Sequence, residues 1–200
     1  MTRIIFLTHP EVVIDPAVPV PEWPLSETGR RRMDAFAGAL SGAGLAAIHA
    51  STERKARDAA GIVAARLGLP VACDPALGEN DRSSTGYIAP PEFWEVVAAF
   101  FGTPTESVRG WERAVDAQDR IVSAVRRIAR ADPPGPVLVV AHGGVGCLLA
   151  AHLQGVAIGK EDRPGHPGGG CYMVLDREPL AFRGRWHAME EGLVLPSPPA

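Results

Sequence analysis

Cysteine is scarce in this chain, and what there is does not pair. Cys73, Cys147 and Cys171 are far apart, odd in number, and include no Cys-x-x-Cys pair. Neither a disulfide framework nor a structural zinc site is therefore expected. Charge of one sign is also lacking. The formal net charge is -3, so nothing points to a nucleic-acid partner or a membrane surface. Long hydrophobic runs are missing too. The first, Ile4 to Leu7, is too short for a signal peptide, and none approaches the length of a membrane span. A reducing cytoplasm is the expected compartment. No internal repeat and no shift in composition marks a boundary.

What remains is an ordinary globular composition. The 200 residues are 46% hydrophobic and 22% charged, which suits one domain, residues 1–200, with a full core. Two stretches organise it. In Arg3-Ile4-Ile5-Phe6-Leu7-Thr8-His9-Pro10 an apolar run ends in a histidine, and Pro10 stops the strand. In Pro136-Val137-Leu138-Val139-Val140-Ala141-His142-Gly143-Gly144 the arrangement recurs. Continuous apolar runs suit central parallel strands buried on both faces. If the two strands are parallel, His9 and His142 share the carboxyl rim of the sheet, where open α/β sheets bind ligands.

The rest of the chain alternates. A proline-rich loop follows His9, with Pro10, Pro16, Pro19, Pro21 and Pro24. Ser26 reads as the N-cap of a helix with Met33, Phe36, Ala37 and Leu40 on one face. On that helix Arg30, Arg31 and Arg32 read as a solvated face. Leu45 to Ala50 reads as a strand. Ser51 or Thr52 would cap the next helix, whose first turns carry Arg54, Lys55 and Arg57. Cations there oppose the helix dipole, a conflict that a bound anion would remove. Leu69 to Cys73 reads as a short strand, and Pro75 to Pro91 as an irregular segment holding Glu79, Asp81 and Arg82. Helices are expected over Phe93 to Phe101, Trp111 to Ala131 and Gly143 to Leu153. A loop from Gly155 to Gly170 and an antiparallel pair, Cys171 to Leu175 with Leu180 to Trp186, complete the chain, with a frayed tail from Pro196. The fold class is α/β: a three-layer arrangement with a mostly parallel central sheet and helices on both faces.

Two histidines, a carboxylate and clustered cations suit phosphoryl transfer through a phosphohistidine. A neutral imidazole can attack phosphorus. Cations and a second histidine can neutralise the transferring oxygens. A carboxylic acid kept protonated by its surroundings can protonate the leaving oxygen and later activate water. Such a reaction requires no metal or other cofactor. Two competing motif readings fail. Gly144-Val145-Gly146 has Leu149 where a dinucleotide fingerprint needs a third small residue, and His142-Gly143-Gly144 has no Gly-x-Ser-x-Gly elbow to accompany it.

These motifs, in this order, resemble the histidine phosphatase superfamily, the phosphoglycerate mutase-like fold. Thr8-His9-Pro10 stands where members carry Arg-His-Gly. Leu25-Ser26-Glu27-Thr28-Gly29 matches a Leu-(Ser/Thr)-x-x-Gly helix start, and Ser51 to Ala60 matches Ser-x-x-x-Arg-Ala-x-x-(Thr)-Ala. Leu77-Gly78-Glu79 matches Leu-x-Glu, and His142-Gly143 the final His-Gly. The resemblance implies a metal-independent phosphomonoester phosphatase with His9 as nucleophile, Glu79 as proton donor (Asp81 beside it the alternative) and His142 on the phosphoryl oxygens. Thr8, Arg54, Lys55 and Gly143 would complete the phosphate site. A small phosphorylated substrate is the expected partner, and a homodimer is left open. Thr8 and Pro10 depart from the pattern. One fixed cation and one backbone N–H are lost, and Lys55 lacks the planar fork of arginine. Arg54, Arg57 and Arg82 are the candidates to compensate. The alternative reading is a catalytically weak or inactive relative that binds a phosphorylated ligand or protein.

Overall fold

The computed structural model describes residues 3–131 and 133–195. Six strands form one sheet in the order β3-β2-β4-β1-β5-β6. They are β1 (Arg3–Thr8), β2 (Ala47–Ala50), β3 (Val71–Cys73), β4 (Val137–Ala141), β5 (Cys171–Arg177) and β6 (Leu180–Ala188). The first four run parallel; β5 is antiparallel to β1, and β6 to β5. Five α-helices cover the faces: α1 (Glu27–Leu40), α2 (Arg54–Leu67), α3 (Glu92–Gly102), α4 (Ala114–Ala131) and α5 (Gly143–Gln154). The expected α/β class and the mostly parallel sheet are what the structure has. The tail from Pro196 lies outside the described residues. Among the described residues no helix is long and apolar enough to cross a membrane.

The apolar runs explain the layers. Every residue of β1 and of β4 is buried, because successive side chains point to opposite faces and both faces are covered. Ile4, Phe6, Val137, Val139 and Ala141 pack with α3, α4 and α5. Ile5, Leu7, Leu138 and Val140 pack with α1 and α2.

Register then positions the site. Thr8 pairs with Ala141 across the parallel ladder, and the His9 N–H continues it by donating to the Ala141 carbonyl at 3.1 Å. His9 and His142 therefore leave adjacent strands at the same level. On the other side of β4, Ala50 pairs with Val140 and the Ser51 N–H donates to the Val140 carbonyl at 3.0 Å. The segment after β2 joins the same rim.

Three local expectations need correction. Neither Ser51 nor Thr52 is the N-cap of α2; Glu53 is, and its side chain makes no capping bond. The fourth helix begins at Ala114 rather than Trp111. Trp111 follows a 3-10 turn and is buried, its indole N–H donating to the Thr85 hydroxyl at 2.9 Å. Arg32 is not on a solvated face. Its guanidinium pairs with Glu190 at 2.6 Å and donates to the carbonyls of Gly168 and Gly169 at 2.9 Å each, tying α1 to the loop before β5.

Ser26 caps α1 as expected, its hydroxyl accepting from the Gly29 N–H at 3.0 Å. Gly29 is glycine because the loop after β1 crosses it: a Cβ there would stand 2.2 Å from the Glu11 carbonyl oxygen. Backbone, not a flexible side chain, would have to move. Gly29→Ala should therefore destabilise the fold by about 1–3 kcal/mol and lower Tm by roughly 3–10 °C in a calorimetric scan. An unchanged Tm would show that the loop yields freely.

Candidate active site

His9 stands at the mouth of a cavity of about 490 Å³ whose lining includes Thr8, Glu79, Asn80, Arg82, Gly143 and Gly144. Its Nδ1 lies 2.8 Å from the Pro10 carbonyl oxygen. A carbonyl only accepts, so the proton belongs on Nδ1 and the lone pair on Nε2. Burial, reinforced by His142 and Lys55, pushes its pKa down from 6.5 to about 3. The ring is neutral at ordinary pH, the form a nucleophile needs.

His142 is completely buried, and its ring centroid lies 5.3 Å from that of His9. Its Nε2 is 2.8 Å from the Ser51 hydroxyl oxygen and 3.3 Å from Glu53 Oε1. A carboxylate only accepts, which favours a proton on Nε2. Burial lowers the His142 pKa against the opposing pull of Glu53 and Glu79. Two buried nitrogens on this rim have no partner among the described residues: His142 Nδ1 and Asn80 Nδ2. Buried polar atoms are rarely left so. An oxyanion beside His9 would accept from Asn80 Nδ2, whereas His142 Nδ1, with the ring proton on Nε2, would accept from a protonated oxygen or donate only once the ring is doubly protonated.

Glu79 is held by the start of α5. Its carboxylate accepts from the Gly144 N–H at 3.0 Å and the Val145 N–H at 2.9 Å. A Cβ on Gly144 would come within 2.6 Å of Glu79 Oε1, so glycine there makes room for the carboxylate. Burial pushes the Glu79 pKa up, but Arg82, His142 and the Gly144 N–H prevail and hold it below the ordinary value. The expectation of a carboxyl kept protonated by its surroundings is thus reversed: a helix N-terminus favours the anion. Asp81 is exposed, accepts from the Ser83 N–H at 2.8 Å, and does not line the cavity.

The cations divide. Lys55 is buried at 3% exposure. Its ammonium pairs with Glu53 Oε2 at 2.5 Å and donates to the Val20 carbonyl at 2.8 Å. Its charge is therefore largely compensated. Arg54 is exposed at the start of α2 and lines neither cavity that reaches His9. Arg57 is exposed as well. Arg82 lines both cavities. Its guanidinium lies 5.5 Å and 5.4 Å from the ring centroids of Phe93 and Trp111, and it makes no ion pair among the described residues. Thr8 is buried, and its hydroxyl accepts from the Cys171 N–H at 3.0 Å.

Glu53 is the residue that sequence reasoning missed. Besides Lys55 and His142, it accepts from the Glu79 N–H at 2.8 Å. Burial raises its pKa, but the His142 imidazole and the Lys55 ammonium outweigh that and hold it at about 2. The available signal was position: Ser51-Thr52-Glu53 follows a third strand end on the histidine rim. His166, in the loop before β5, also lines the cavity. His152 meets Arg126 on the surface, and the His187 ring stacks on Tyr172.

Parallel strands bring two histidines together at the carboxyl rim of an α/β sheet, beside the carboxylate of Glu79 and the guanidinium of Arg82. The sequence profile of the histidine phosphatase superfamily (branch 1) matches residues 17–187, and the chain belongs to that superfamily. No curated protein matches it significantly by sequence. Among solved structures, mycobacterial glucosyl-3-phosphoglycerate phosphatase with inorganic phosphate is similar at 24% identity. It covers 95% of this chain and 99% of its own, with a TM-score of 0.78. The structure of that phosphatase with VO3 is 26% identical over 94% of this chain and 100% of its own, with a TM-score of 0.76. Bacillus stearothermophilus YhfR is 23% identical over 92% and 95%, with a TM-score of 0.75.

The His9 environment has a consequence for stability. A folded-state pKa of about 3 against 6.5 means that the folded chain binds fewer protons than the unfolded chain between those values. Stability is then full above about pH 6.5 and falls as the pH is lowered. From pH 7 to pH 5 the wild type should lose up to about 2 kcal/mol more than His9→Asn in urea unfolding. Equal losses would mean that His9 titrates normally.

Proposed function

We propose that this protein is a phosphomonoester phosphatase that works through a phosphohistidine on His9. The observation that carries the reading is the fixed tautomer of His9: Nδ1–H held by the Pro10 carbonyl, with Nε2 free beside Glu79 and an unpaired arginine.

In the first step His9 Nε2 attacks phosphorus as the bond to the ester oxygen breaks. The electron pair leaves with that oxygen, which takes a proton from Glu79. Because Glu79 rests as the anion, this proton must arrive with the substrate. A phosphate monoester loses its second proton near pH 6, so its monoanion can supply one. Asn80 Nδ2 and Arg82 donate to the phosphoryl oxygens as charge shifts among them, and His142 Nδ1 accepts from the protonated oxygen of the monoanion. In the second step water attacks phosphorus and gives a proton to Glu79. The P–N bond breaks, its electron pair returns to Nε2, and inorganic phosphate leaves. No metal takes part.

The similar mycobacterial enzyme is a phosphatase by name, which supports this reaction class. A second reading, binding of a phosphorylated ligand without turnover, draws on Thr8 and on the Lys55–Glu53 pair, which leave the pocket short of free positive charge. Hydrolysis of p-nitrophenyl phosphate in the presence of EDTA decides between them. The wild type should turn over, and His9→Ala should lose about a thousandfold or more. A folded wild type with no turnover would favour the binder, and equal rates in both proteins would remove His9 as nucleophile.

Arg82, which lines both cavities that reach His9, is the cation left to meet the phosphoryl charge. Arg82→Ala should lower kcat/KM about a hundredfold, with part recovered in Arg82→Lys. A change of less than about threefold would show that the phosphoryl charge is met elsewhere.

A further inference from the structure

Leading away from His9, the walls of both cavities are mostly apolar, interrupted by Arg163 and His166 in the larger and by Lys55 in the smaller. The larger is bounded by Phe93, Trp94, Val97, Phe100, Phe101 and Trp111. The smaller, about 270 Å³, is bounded by Ile14, Val20, Trp23, Tyr87 and Ile88, besides groups shared with the first. They meet at His9, Arg82, Phe93 and Trp94. A phosphate group needs far less room than the larger cavity offers, at about 490 Å³, a volume typical of sites for whole drug-sized ligands.

We propose that the site is built for phosphate monoesters with a large apolar leaving group, a hydrocarbon chain or aromatic system, and against polyol phosphates. This rests on the phosphatase reading above and specifies its substrate class. Three observations carry it. First, polar groups are concentrated where the phosphoryl group would sit, and the walls beyond offer few partners for hydroxyls. Buried hydroxyls without partners are costly, whereas each buried methylene is favourable. Second, the arginines in the walls lie over rings, Arg82 over Phe93 and Trp111, and Arg163 with its guanidinium 4.2 Å from the Phe101 centroid, while Lys55 in the smaller cavity is taken up by Glu53 and the Val20 carbonyl. Arg163 is further paired with Glu161 at 3.1 Å. None of these arrangements presents the convergent hydrogen bonds that a sugar would require. Third, large apolar side chains remain exposed at the shared mouth: Trp94 at 62% and Ile14 at 58%. Trp94 lines both cavities and Ile14 the smaller one, so a bound chain would cover surface that is otherwise left in water.

A series of n-alkyl phosphates from ethyl to octyl tests this with the leaving-group chemistry held constant. kcat/KM should rise about two- to fourfold per methylene over the middle of the series. Glycerol phosphate should fall at or below the ethyl ester. Trp94→Ala and Val97→Ser should flatten the slope. A flat or falling series, or preference for glycerol phosphate over the butyl ester, would overturn the inference. If no ester is hydrolysed, calorimetry with ethylphosphonate and octylphosphonate separates the two readings. Tighter binding of the octyl compound by tenfold or more would sustain the apolar-chain site while the phosphatase reading fell. Equal affinities would overturn the site as well.

Discussion

Parallel pairing of β1 with β4 sets Thr8 opposite Ala141, and the chemistry of the rim follows from that register. A slip of one residue would turn each strand's side chains to the other face. Both strands are buried on both faces, so the register is held by two packed layers at once. Their next residues, His9 and His142, are thereby brought face to edge at 5.3 Å. β2 on the far side of β4 adds Ser51 and Glu53. The start of α5 directly after β4 gives the N–H groups that hold Glu79. Few side chains at the site are placed by their own loop alone.

The electrostatics are less usual than the geometry. Glu53 is a largely covered carboxylate beside the rim of the two histidines, and it spends the charge of Lys55. Breaking such a pair would strand a buried charge, whereas keeping it leaves Lys55 as a structural tie. Lys55 also reaches the Val20 carbonyl, so the pair anchors the proline-rich loop to α2. The free cation comes instead from Arg82, in the irregular segment after Glu79. Its guanidinium rests over two aromatic rings, contacts that hold it without neutralising it. Thr8, which carries no charge, closes the β1–β5 junction by accepting from the Cys171 N–H.

Much of this was legible in the sequence. The apolar runs of β1 and β4 declared buried strands, and each delivered its histidine. The helical spacing of Met33, Phe36, Ala37 and Leu40 and the Ser26 cap located α1. What failed depended on contacts distant in sequence. Arg32 looked like one of three surface cations, because its partners at Gly168, Gly169 and Glu190 lie more than a hundred residues away. Trp111 fitted the helical face of α4 but is drawn out of it to pack on the aromatic wall and on Thr85. Glu79 was legible as the carboxylate of the site but not as a resting anion. That state depends on the free N–H groups of α5 and on Arg82. The aromatic residues of α3 were readable as one apolar helix, and nothing local showed that part of it faces a cavity instead of the core.

The charges at the site bear on how the proposed reaction obtains its proton. Two carboxylates, Glu53 and Glu79, stand against two cations, Lys55 and Arg82, while burial keeps His9 and His142 neutral. A phosphate dianion entering such a balanced, apolar-walled pocket would meet little net attraction and would lose its water. Uptake of a proton by Glu79 or His142, or entry as the monoanion, removes that penalty. It also puts a proton beside the oxygen that must leave. The uncharged side chain of Thr8 and the carboxylate of Glu53 then act in the same direction. Each makes binding of the phosphoryl group depend on the proton that the chemistry consumes, and the aromatic walls strengthen the coupling by keeping the surroundings poorly screened.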